Sequence, residues 1–341
     1  MTLTRALLHT LPKVELHVHL DGCIRPATMI ELAADQGVRL PADTPEALAS
    51  AMLVAHAGSL EDYLERYDVT LAVMQSRDAL ERIAYEFVVD SAAENTRYVE
   101  VRFCPVLHMP SLTLAQAVES SLAGLEKARA ETGTMARLIL CGLRTLNPSV
   151  SLDVARAAVD YKESGVVAFD LAGGEYGHPA RHHLAAFEYA LGRDLPCTCH
   201  AGEGDGPDSI REAVHVCGVQ RIGHGTRLFE DPDLEAELIG RGVPLEVCLT
   251  SNRHTHTVMD LSHHPVRRYF DLGGVVTLNT DSRLMDSTTM TDEFLIAHEK
   301  LGFTRSEIDK LILNAIDASF LPAPEKQVLR ATVQSELESI A

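Results

Sequence analysis

Eight short runs of β-branched and other apolar residues alternate with longer helical patterns along this chain of 341 residues. Parallel strands need long crossover connections, which are usually helices, and eight strand-then-helix units favour a closed barrel. The sequence therefore predicts an α/β fold built as a single (β/α)8 (TIM) barrel. The predicted strands lie at 13–19, 98–103, 137–143, 166–171, 196–200, 221–223, 244–249 and 274–279.

Capping residues mark where several of the intervening helices begin. Ser76 precedes apolar residues at helical spacing, and Thr113 with Gln116 forms a capping-box pattern. Ser151 is predicted to begin another helix, which Gly165 ends. These signals predict secondary structure and do not indicate a catalytic or binding role.

One connection is much longer than the others. About seventy residues separate the first two strands and contain two or three helical patterns, which predicts a helical insertion over about 25–95. Long connections at the mouth of a barrel often act as lids. A charged amphipathic helix follows Pro322, and no repeat or linker interrupts the chain. We therefore expect one domain, 1–341, with extra C-terminal helices.

Charge and composition restrict the partners that this chain can bind. The 30 Lys and Arg residues against 49 Asp and Glu give a formal net charge of −19, which repels nucleic acid and anionic lipid. No signal peptide or membrane span is recognisable, and the seven cysteines lack Cys-x-x-Cys spacing. We expect a cytoplasmic protein that binds a small molecule, with no nucleic-acid or membrane partner. The sequence makes no prediction about oligomeric state.

The strongest local motif is His17-Val18-His19, at the end of the first predicted strand. Residues i and i+2 of a strand point to the same face, so the two imidazoles can share one ligand. An isolated pair of this kind is also compatible with two buried histidines bonded to backbone groups. Further metal-binding side chains are needed to decide between a shared ion and two backbone-bonded histidines.

Polar side chains follow three other predicted strands. His200 and Glu203 follow the fifth strand, His224 the sixth and Asp281 the eighth. Buried polar groups at four strand ends are costly unless they bind something, and barrel active sites gather at this rim. Imidazole and carboxylate ligands suit zinc, with iron or manganese as alternatives. The fourth strand end, 170–175, has no lysine to bridge a second metal, so we predict one ion.

Six motifs occur in order along nearly the whole chain. They are Val-Glu-Leu-His-Val-His-Leu-Asp-Gly (14–22), Asp-Leu-Ala-Gly (170–173), His-Ala-Gly-Glu (200–203), Gly-His-Gly (223–225), Thr-Ser-Asn (250–252) and Asn-Thr-Asp (279–281). These ordered motifs resemble those of the adenosine deaminase family, in the adenosine and AMP deaminase-like branch of the metal-dependent amidohydrolases. The resemblance implies a zinc-containing (β/α)8 barrel enzyme that hydrolytically removes the 6-amino group of a purine nucleoside.

The resemblance also implies a role for each matching side chain around the metal. Glu203 would move the proton that purine N1 takes up, which makes attack at C6 feasible. His224 would orient the attacking hydroxide and stabilise developing negative charge. The implied zinc ligands are His17, His19, His200 and Asp281.

The substrate-binding residues carry one departure from the family pattern. Gly173 would donate its backbone N–H to purine N3, and Asp21, with the neighbourhood of His19, would face the ribose 5′ side. Many relatives have a second aspartate for purine N7, whereas this chain has Ser282. A hydroxyl can donate to N7, directly or through a water bridge. The exact base is therefore less constrained than the metal chemistry.

Three functional hypotheses follow, and the first is favoured: deamination of adenosine and 2′-deoxyadenosine to inosine and 2′-deoxyinosine with release of ammonia. The second is deamination of another 6-aminopurine nucleoside, such as aminodeoxyfutalosine. The third is a non-catalytic purine-binding relative, which should have lost a ligand or Glu203. The remaining histidines at 254, 256, 263 and 264 are interpreted as loop residues or supports of the site.

Overall fold

Eight parallel strands alternate with helices in the computed structural model, which describes residues 3–54, 60–109 and 111–340. The eight predicted strands are confirmed, and their predicted ends differ from the observed ends by at most two residues. The observed strands are β1 (Lys13–His19), β2 (Thr96–Phe103), β3 (Met135–Leu143), β4 (Val166–Ala172), β5 (Thr198–Ala201), β6 (Arg221–His224), β7 (Leu245–Val247) and β8 (Val276–Leu278).

The strands follow one another around a barrel in chain order. Two four-stranded parallel sheets, β1 to β4 and β5 to β8, are joined at both seams by isolated parallel bridges. Phe169 pairs with Cys197 at one seam, and Val18 pairs with Asp281 at the other. The side chain of Asn279 closes the second seam further, because its Oδ1 accepts the backbone N–H of Leu16 at 2.8 Å. The predicted (β/α)8 barrel is confirmed.

Helices surround the barrel and extend beyond it at the C-terminus. Their apolar faces pack with the outer faces of the strands into one large buried core. The helices are α1 (Arg5–Thr10), α2 (Pro26–Gln36), α3 (Pro45–Met52), α4 (Leu60–Leu64), α5 (Tyr67–Val73), α6 (Arg77–Ala93), α7 (Leu114–Thr132), α8 (Pro148–Asp160), α9 (Leu184–Leu191), α10 (Pro207–His215), α11 (Pro232–Gly240), α12 (Leu249–His254), α13 (Val266–Asp271), α14 (Arg283–Asp286), α15 (Met290–Leu301), α16 (Arg305–Ala318) and α17 (Ala323–Ser339).

The predicted helix starts are confirmed at two positions and wrong at one. Ser76 caps α6, and Thr113 with Gln116 forms the capping box of α7. Helix α8 begins before Ser151, because Asn147 caps it by accepting the backbone N–H of Ser149. The hydroxyl of Ser151 is buried within the helix and contacts a histidine instead.

The long connection between β1 and β2 forms helices α2 to α6, which confirms the predicted helical insertion. Two tyrosines of the insertion contact the loop that follows β8. The hydroxyl of Tyr63 donates to Asp286 Oδ2 at 2.8 Å, and the hydroxyl of Tyr67 lies 2.5 Å from Ser282 Oγ. Helices α4 and α5 therefore lie against the C-terminal end of the barrel, where the predicted site residues gather.

Two further observations bear on the sequence predictions. None of the helices in the described ranges has both the length and the apolar character needed to cross a membrane. All seven cysteines are free thiols, and six of them are buried. Their interpretation as residues mostly of the core is confirmed, and their reduced state stays a prediction.

Candidate active site

The four predicted metal ligands meet at the C-terminal end of the barrel. His17 and His19 lie on β1, His200 lies on β5, and Asp281 follows β8. The Nε2 atoms of His19 and His200 are 3.1 Å apart, and Asp281 Oδ1 lies 3.6 Å from His17 Nε2 and 3.5 Å from His19 Nε2. Side chains separated by up to about 260 residues in the chain thus surround one point.

The outer nitrogens of two of these imidazoles are bonded to buried carboxylates. His17 Nδ1 donates to Glu246 Oε2 at 2.7 Å, and His200 Nδ1 donates to Asp170 Oδ2 at 3.1 Å. In the neutral form of each ring, with the proton on Nδ1, Nε2 carries a lone pair that can bind a metal ion. His17 Nε2 is buried and has no hydrogen-bond partner among the described residues. Three imidazoles and one carboxylate with this support fit a divalent metal ion such as zinc.

The carboxylates behind the imidazoles belong to a buried ionic network inside the barrel. Arg102 donates to Asp170 Oδ2 at 3.0 Å and to Glu246 Oε2 at 2.8 Å. Arg221 donates to Glu246 Oε1 at 2.5 Å and to Glu100 Oε2 at 2.6 Å. Burial raises the pKa of Glu246, but the charges of Arg102 and Arg221 outweigh burial and hold it well below its usual range. These carboxylates are therefore ionised supports of the site.

The buried network and Asp281 together carry more carboxylates than guanidinium groups. Arg102 and Arg221 pair with three carboxylates, and Asp281 of the ligand cluster adds a fourth. Uncompensated buried charge is costly, and a divalent cation would neutralise it. The four carboxylates are those of Asp170, Glu246, Glu100 and Asp281.

Two site residues have a backbone conformation that is rare for residues other than glycine. Asp281 has a φ of +61° and His224 a φ of +62°. Such strained positions cluster at functional sites, where the surrounding structure holds them. The side chain of Asp281 is fixed as well, because Ser251 Oγ donates to its Oδ2 at 2.6 Å. The other carboxylate oxygen of Asp281, Oδ1, faces His17 and His19.

Glu203 and His224 lie side by side at the edge of the metal-ligand cluster. His224 Nε2 is 3.3 Å from Glu203 Oε2 and 3.9 Å from Asp281 Oδ2. Burial raises the pKa of Glu203 well above its usual range, and the charges of Asp281 and Glu175 raise it further. Such a carboxyl group keeps a proton at neutral pH, as a general acid must.

The loop that carries Glu203 is held by another carboxylate. Glu175 accepts the backbone N–H groups of Gly202, Glu203, Gly204 and Asp205 at 2.7 to 3.1 Å. Gly202 has a φ of +75°, and a Cβ atom there would overlap the side chain of an adjacent isoleucine. This glycine-rich loop is therefore a carboxylate-binding nest that the protein fills with its own side chain.

A cavity of about 380 Å³ lies beside these residues, between the barrel end and the insertion. Asp21, Gly173, Glu203 and His224 line the cavity, as does Tyr67 from helix α5. The Oδ1 atom of Asp21 is buried without a hydrogen-bond partner among the described residues, and burial raises the pKa of this carboxyl to about 7. The wall of the cavity therefore contains a carboxyl group with one oxygen that lacks a donor among the described residues.

Ser282 is the one predicted substrate-binding residue that does not line the cavity. It is fully buried, and its hydroxyl lies 2.5 Å from that of Tyr67. Tyr67 thus stands between Ser282 and the cavity. A contact from Ser282 to a ligand would pass through this tyrosine.

Several supporting residues were absent from the predicted site: Asp170, Glu246, Glu175 and Asn252. Glu246 gave a usable signal, because a charged residue inside the apolar run 244–249 implies a buried charge with a partner. Asp170 gave a similar signal at the end of its strand. Glu175 lies in a loop where polar residues are ordinary, so no local pattern marked it. Asn252 lies within the Thr-Ser-Asn motif, but the resemblance assigned it no role.

Comparisons with known proteins agree with this geometry. Residues 12–336 match the adenosine deaminase family. An adenosine deaminase from Mycolicibacterium gilvum is 40% identical over 343 residues, covering 95% of this chain and 94% of the relative.

Two solved structures resemble this chain in both fold and sequence. An amidohydrolase from Burkholderia ambifaria with bound Zn superposes with a TM-score of 0.89 at 27% identity, covering 100% of this chain and 95% of that chain. An N6-mAMP deaminase from Arabidopsis superposes with a TM-score of 0.87 at 28% identity, covering 97% and 99%. The chain belongs to the adenosine deaminase family and is an enzyme of the metal-dependent amidohydrolase type.

Proposed function

We propose that the protein is a zinc-dependent deaminase that converts adenosine and 2′-deoxyadenosine to inosine and 2′-deoxyinosine with release of ammonia. His17, His19, His200 and Asp281 would hold one zinc ion. The observation that carries this proposal is the buried Nε2 of His17, which has no hydrogen-bond partner among the described residues and lies beside His19, His200 and Asp281. The zinc-containing relative supports the choice of metal.

The residues around the metal site can perform the proton transfers of a hydrolytic deamination. Bound zinc would lower the pKa of a coordinated water to about 7 and so supply hydroxide at neutral pH. Glu203, whose raised pKa keeps it protonated, would donate its proton to purine N1 as C6 is attacked. His224 lies next to Glu203 and Asp281 and would direct the attacking oxygen.

The cavity offers contacts for the rest of a purine nucleoside. The backbone N–H of Gly173 would donate to N3, and the carboxyl group of Asp21, which lines the cavity, would accept the ribose 5′-hydroxyl. The hydroxyl pair of Tyr67 and Ser282 would serve N7 in place of the second aspartate of many relatives. Each contact pairs a donor with an acceptor.

The charge of the cavity favours a nucleoside over a nucleotide. Asp21, Glu65 and Asp68 line it, and no lysine or arginine is among its lining residues in the described part of the chain. A phosphate group there would meet carboxylates without a cation to bind it, which is unfavourable. We therefore place AMP and N6-methyl-AMP outside the substrate range.

All seven cysteines being free thiols supports a reducing, cytoplasmic location.

The test is a panel of 6-aminopurines assayed with zinc-loaded protein: adenosine, 2′-deoxyadenosine, aminodeoxyfutalosine, adenine and AMP. We expect the largest kcat/KM for adenosine or 2′-deoxyadenosine, with AMP at least about 100-fold lower, a difference of roughly 2.7 kcal/mol. Glu203→Gln should abolish ammonia release while zinc stays bound. A preference for aminodeoxyfutalosine would favour the alternative substrate, and full turnover by Glu203→Gln would refute the role of Glu203.

A further inference from the structure

A chain of hydrogen bonds runs from the start of helix α13 to the ring of His224. The backbone N–H of Val266 donates to His264 Nδ1 at 3.1 Å, and His264 Nε2 lies 3.1 Å from Asn252 Oδ1. The other end of this amide, Asn252 Nδ2, lies 3.2 Å from His224 Nδ1. His264 and Asn252 are both buried.

The direction of every bond in this chain follows from its first member. A backbone N–H can only donate, so His264 Nδ1 must accept. Burial lowers the pKa of His264 to about 3, so the ring is neutral and its single proton lies on Nε2. That proton must be donated to Asn252, which orients the amide with its oxygen toward His264. Thr226 Oγ1 fits this orientation, since it also donates to Asn252 Oδ1 at 2.9 Å.

The amide nitrogen of Asn252 then faces His224 and donates to its Nδ1. A ring nitrogen that accepts a hydrogen bond carries no proton, so the proton of His224 lies on Nε2. This Nε2–H points toward Glu203 Oε2 and Asp281 Oδ2. The opposite tautomer would present a lone pair to the Asp281 carboxylate and could not donate to the attacking oxygen.

We infer that His264 and Asn252 are positioning residues that hold His224 as the Nε2–H tautomer, so that His224 acts as a hydrogen-bond donor in the deamination. The inference rests on the proposed function for its catalytic consequence. The tautomer itself follows from the hydrogen bonds alone and can be observed without any substrate.

The direct test is a two-bond ¹⁵N–¹H correlation spectrum of zinc-loaded protein with ¹⁵N-labelled histidine rings, which reports the protonated nitrogen of His224. We expect a protonated Nε2 and an unprotonated Nδ1. The isosteric change Asn252→Asp replaces the donor with a carboxylate and should put a proton on Nδ1. A wild-type spectrum with the proton on Nδ1 would overturn the inference.

Kinetics of three further variants test the catalytic consequence. His264→Phe removes the donor to Asn252 and should lower kcat about 10-fold or more, with KM within about threefold and one zinc retained. His264→Gln keeps an N–H donor and should restore kcat to within about threefold of wild type. His263→Ala, at an exposed neighbouring histidine, should change neither kcat nor the spectrum.

The outcomes separate this inference from the proposed function. If His264→Phe leaves the kcat and the tautomer of His224 unchanged, or lowers kcat without changing the tautomer, the positioning role is wrong. If the wild-type protein shows the expected tautomer but deaminates no adenosine, the proposed substrate is wrong and the hydrogen-bond assignment stands. Melting temperatures of the variants identify any loss that comes from unfolding.

Discussion

The backbone N–H of Glu203 donates to the side chain of Glu175, with 3.0 Å between the nitrogen and Oε2. The same carboxylate accepts the N–H groups of the residues on both sides of Glu203. Glu175 comes from the loop after β4, whereas Glu203 follows β5. One carboxylate thus fixes the backbone that presents the carboxyl group of Glu203 to the cavity.

Replacing Glu175 with glutamine should misplace Glu203. An amide has one acceptor oxygen and no charge, so some of the loop N–H groups would lose their partner. We expect kcat for adenosine to fall about 10- to 100-fold and the free energy of unfolding to fall by about 1 to 3 kcal/mol. Steady-state kinetics measures kcat, and denaturant unfolding measures the free energy of unfolding. As the control, Glu163→Gln, at an exposed glutamate, should leave kcat and the free energy of unfolding at their wild-type values. A kcat of Glu175→Gln equal to that of wild type would contradict the role of Glu175 in placing Glu203.

Replacing Asp170 with asparagine should weaken zinc binding. Asp170 orients His200 through Nδ1, and its buried charge also pairs with Arg102. Loss of such a partner typically lowers metal affinity by about 10- to 100-fold. Competition with a chelator measures the dissociation constant, and Asp160→Asn, at an exposed aspartate, is the control. Unchanged zinc affinity in Asp170→Asn would show that His200 does not depend on this contact.

The parts of the site that follow from local periodicity were predictable from the sequence. His17 and His19 share a face because strand side chains alternate, and His200, His224 and Asp281 end apolar runs that must lie at one rim of a parallel barrel. These features need only the strand assignments. The same assignments placed the helical insertion correctly.

The supporting contacts depend on three-dimensional neighbours and were not predictable in the same way. Glu246 binds His17 across 229 positions of the chain, and only the barrel register brings them together. Ser151 was assigned as a helix start because serine is a good cap, but Asn147 occupies that position and Ser151 bonds to His183. Ser282 was predicted to contact substrate, whereas Tyr67 of the distant insertion covers it.

Removing the hydroxyl of Tyr67 should weaken the binding of the purine. Tyr67 lines the cavity and would donate to N7, so Tyr67→Phe should raise KM for adenosine about 10-fold, equivalent to about 1.4 kcal/mol. Ser282→Ala should have a smaller effect, because Ser282 acts through Tyr67. Tyr176→Phe, at an exposed tyrosine, is the control. A larger effect from Ser282→Ala would show that Ser282 contacts the base itself.

Asp286 should make the stability of the protein depend on pH. Burial and the charge of Asp281 raise its pKa from 3.8 to about 6, although His254 and Tyr63 partly oppose them. The folded protein therefore holds this proton more tightly than the unfolded chain does. The resulting stabilisation, about 3 kcal/mol, is present below about pH 4 and lost as pH rises through about 6.

Denaturant unfolding at pH 4, 5, 6 and 7 measures this dependence. Relative to Asp286→Asn, the wild-type free energy of unfolding should fall by about 2.4 kcal/mol between pH 4 and pH 7, since at pH 4 part of the full effect is already lost. Taking the difference between the two proteins cancels the titration of other groups. Asp35→Asn, at an exposed aspartate, should give a curve parallel to wild type. Parallel curves for Asp286→Asn and wild type would show that Asp286 has an ordinary pKa.

Four side chains from β1, β5 and the end of β8 are proposed to hold a single zinc ion. Anomalous diffraction from crystals of zinc-loaded protein, measured on both sides of the zinc absorption edge, locates such an ion directly. We predict one peak, about 2.0 to 2.2 Å from nitrogen atoms of His17, His19 and His200 and from a carboxylate oxygen of Asp281. A peak elsewhere, or two peaks within this cluster, would contradict the account.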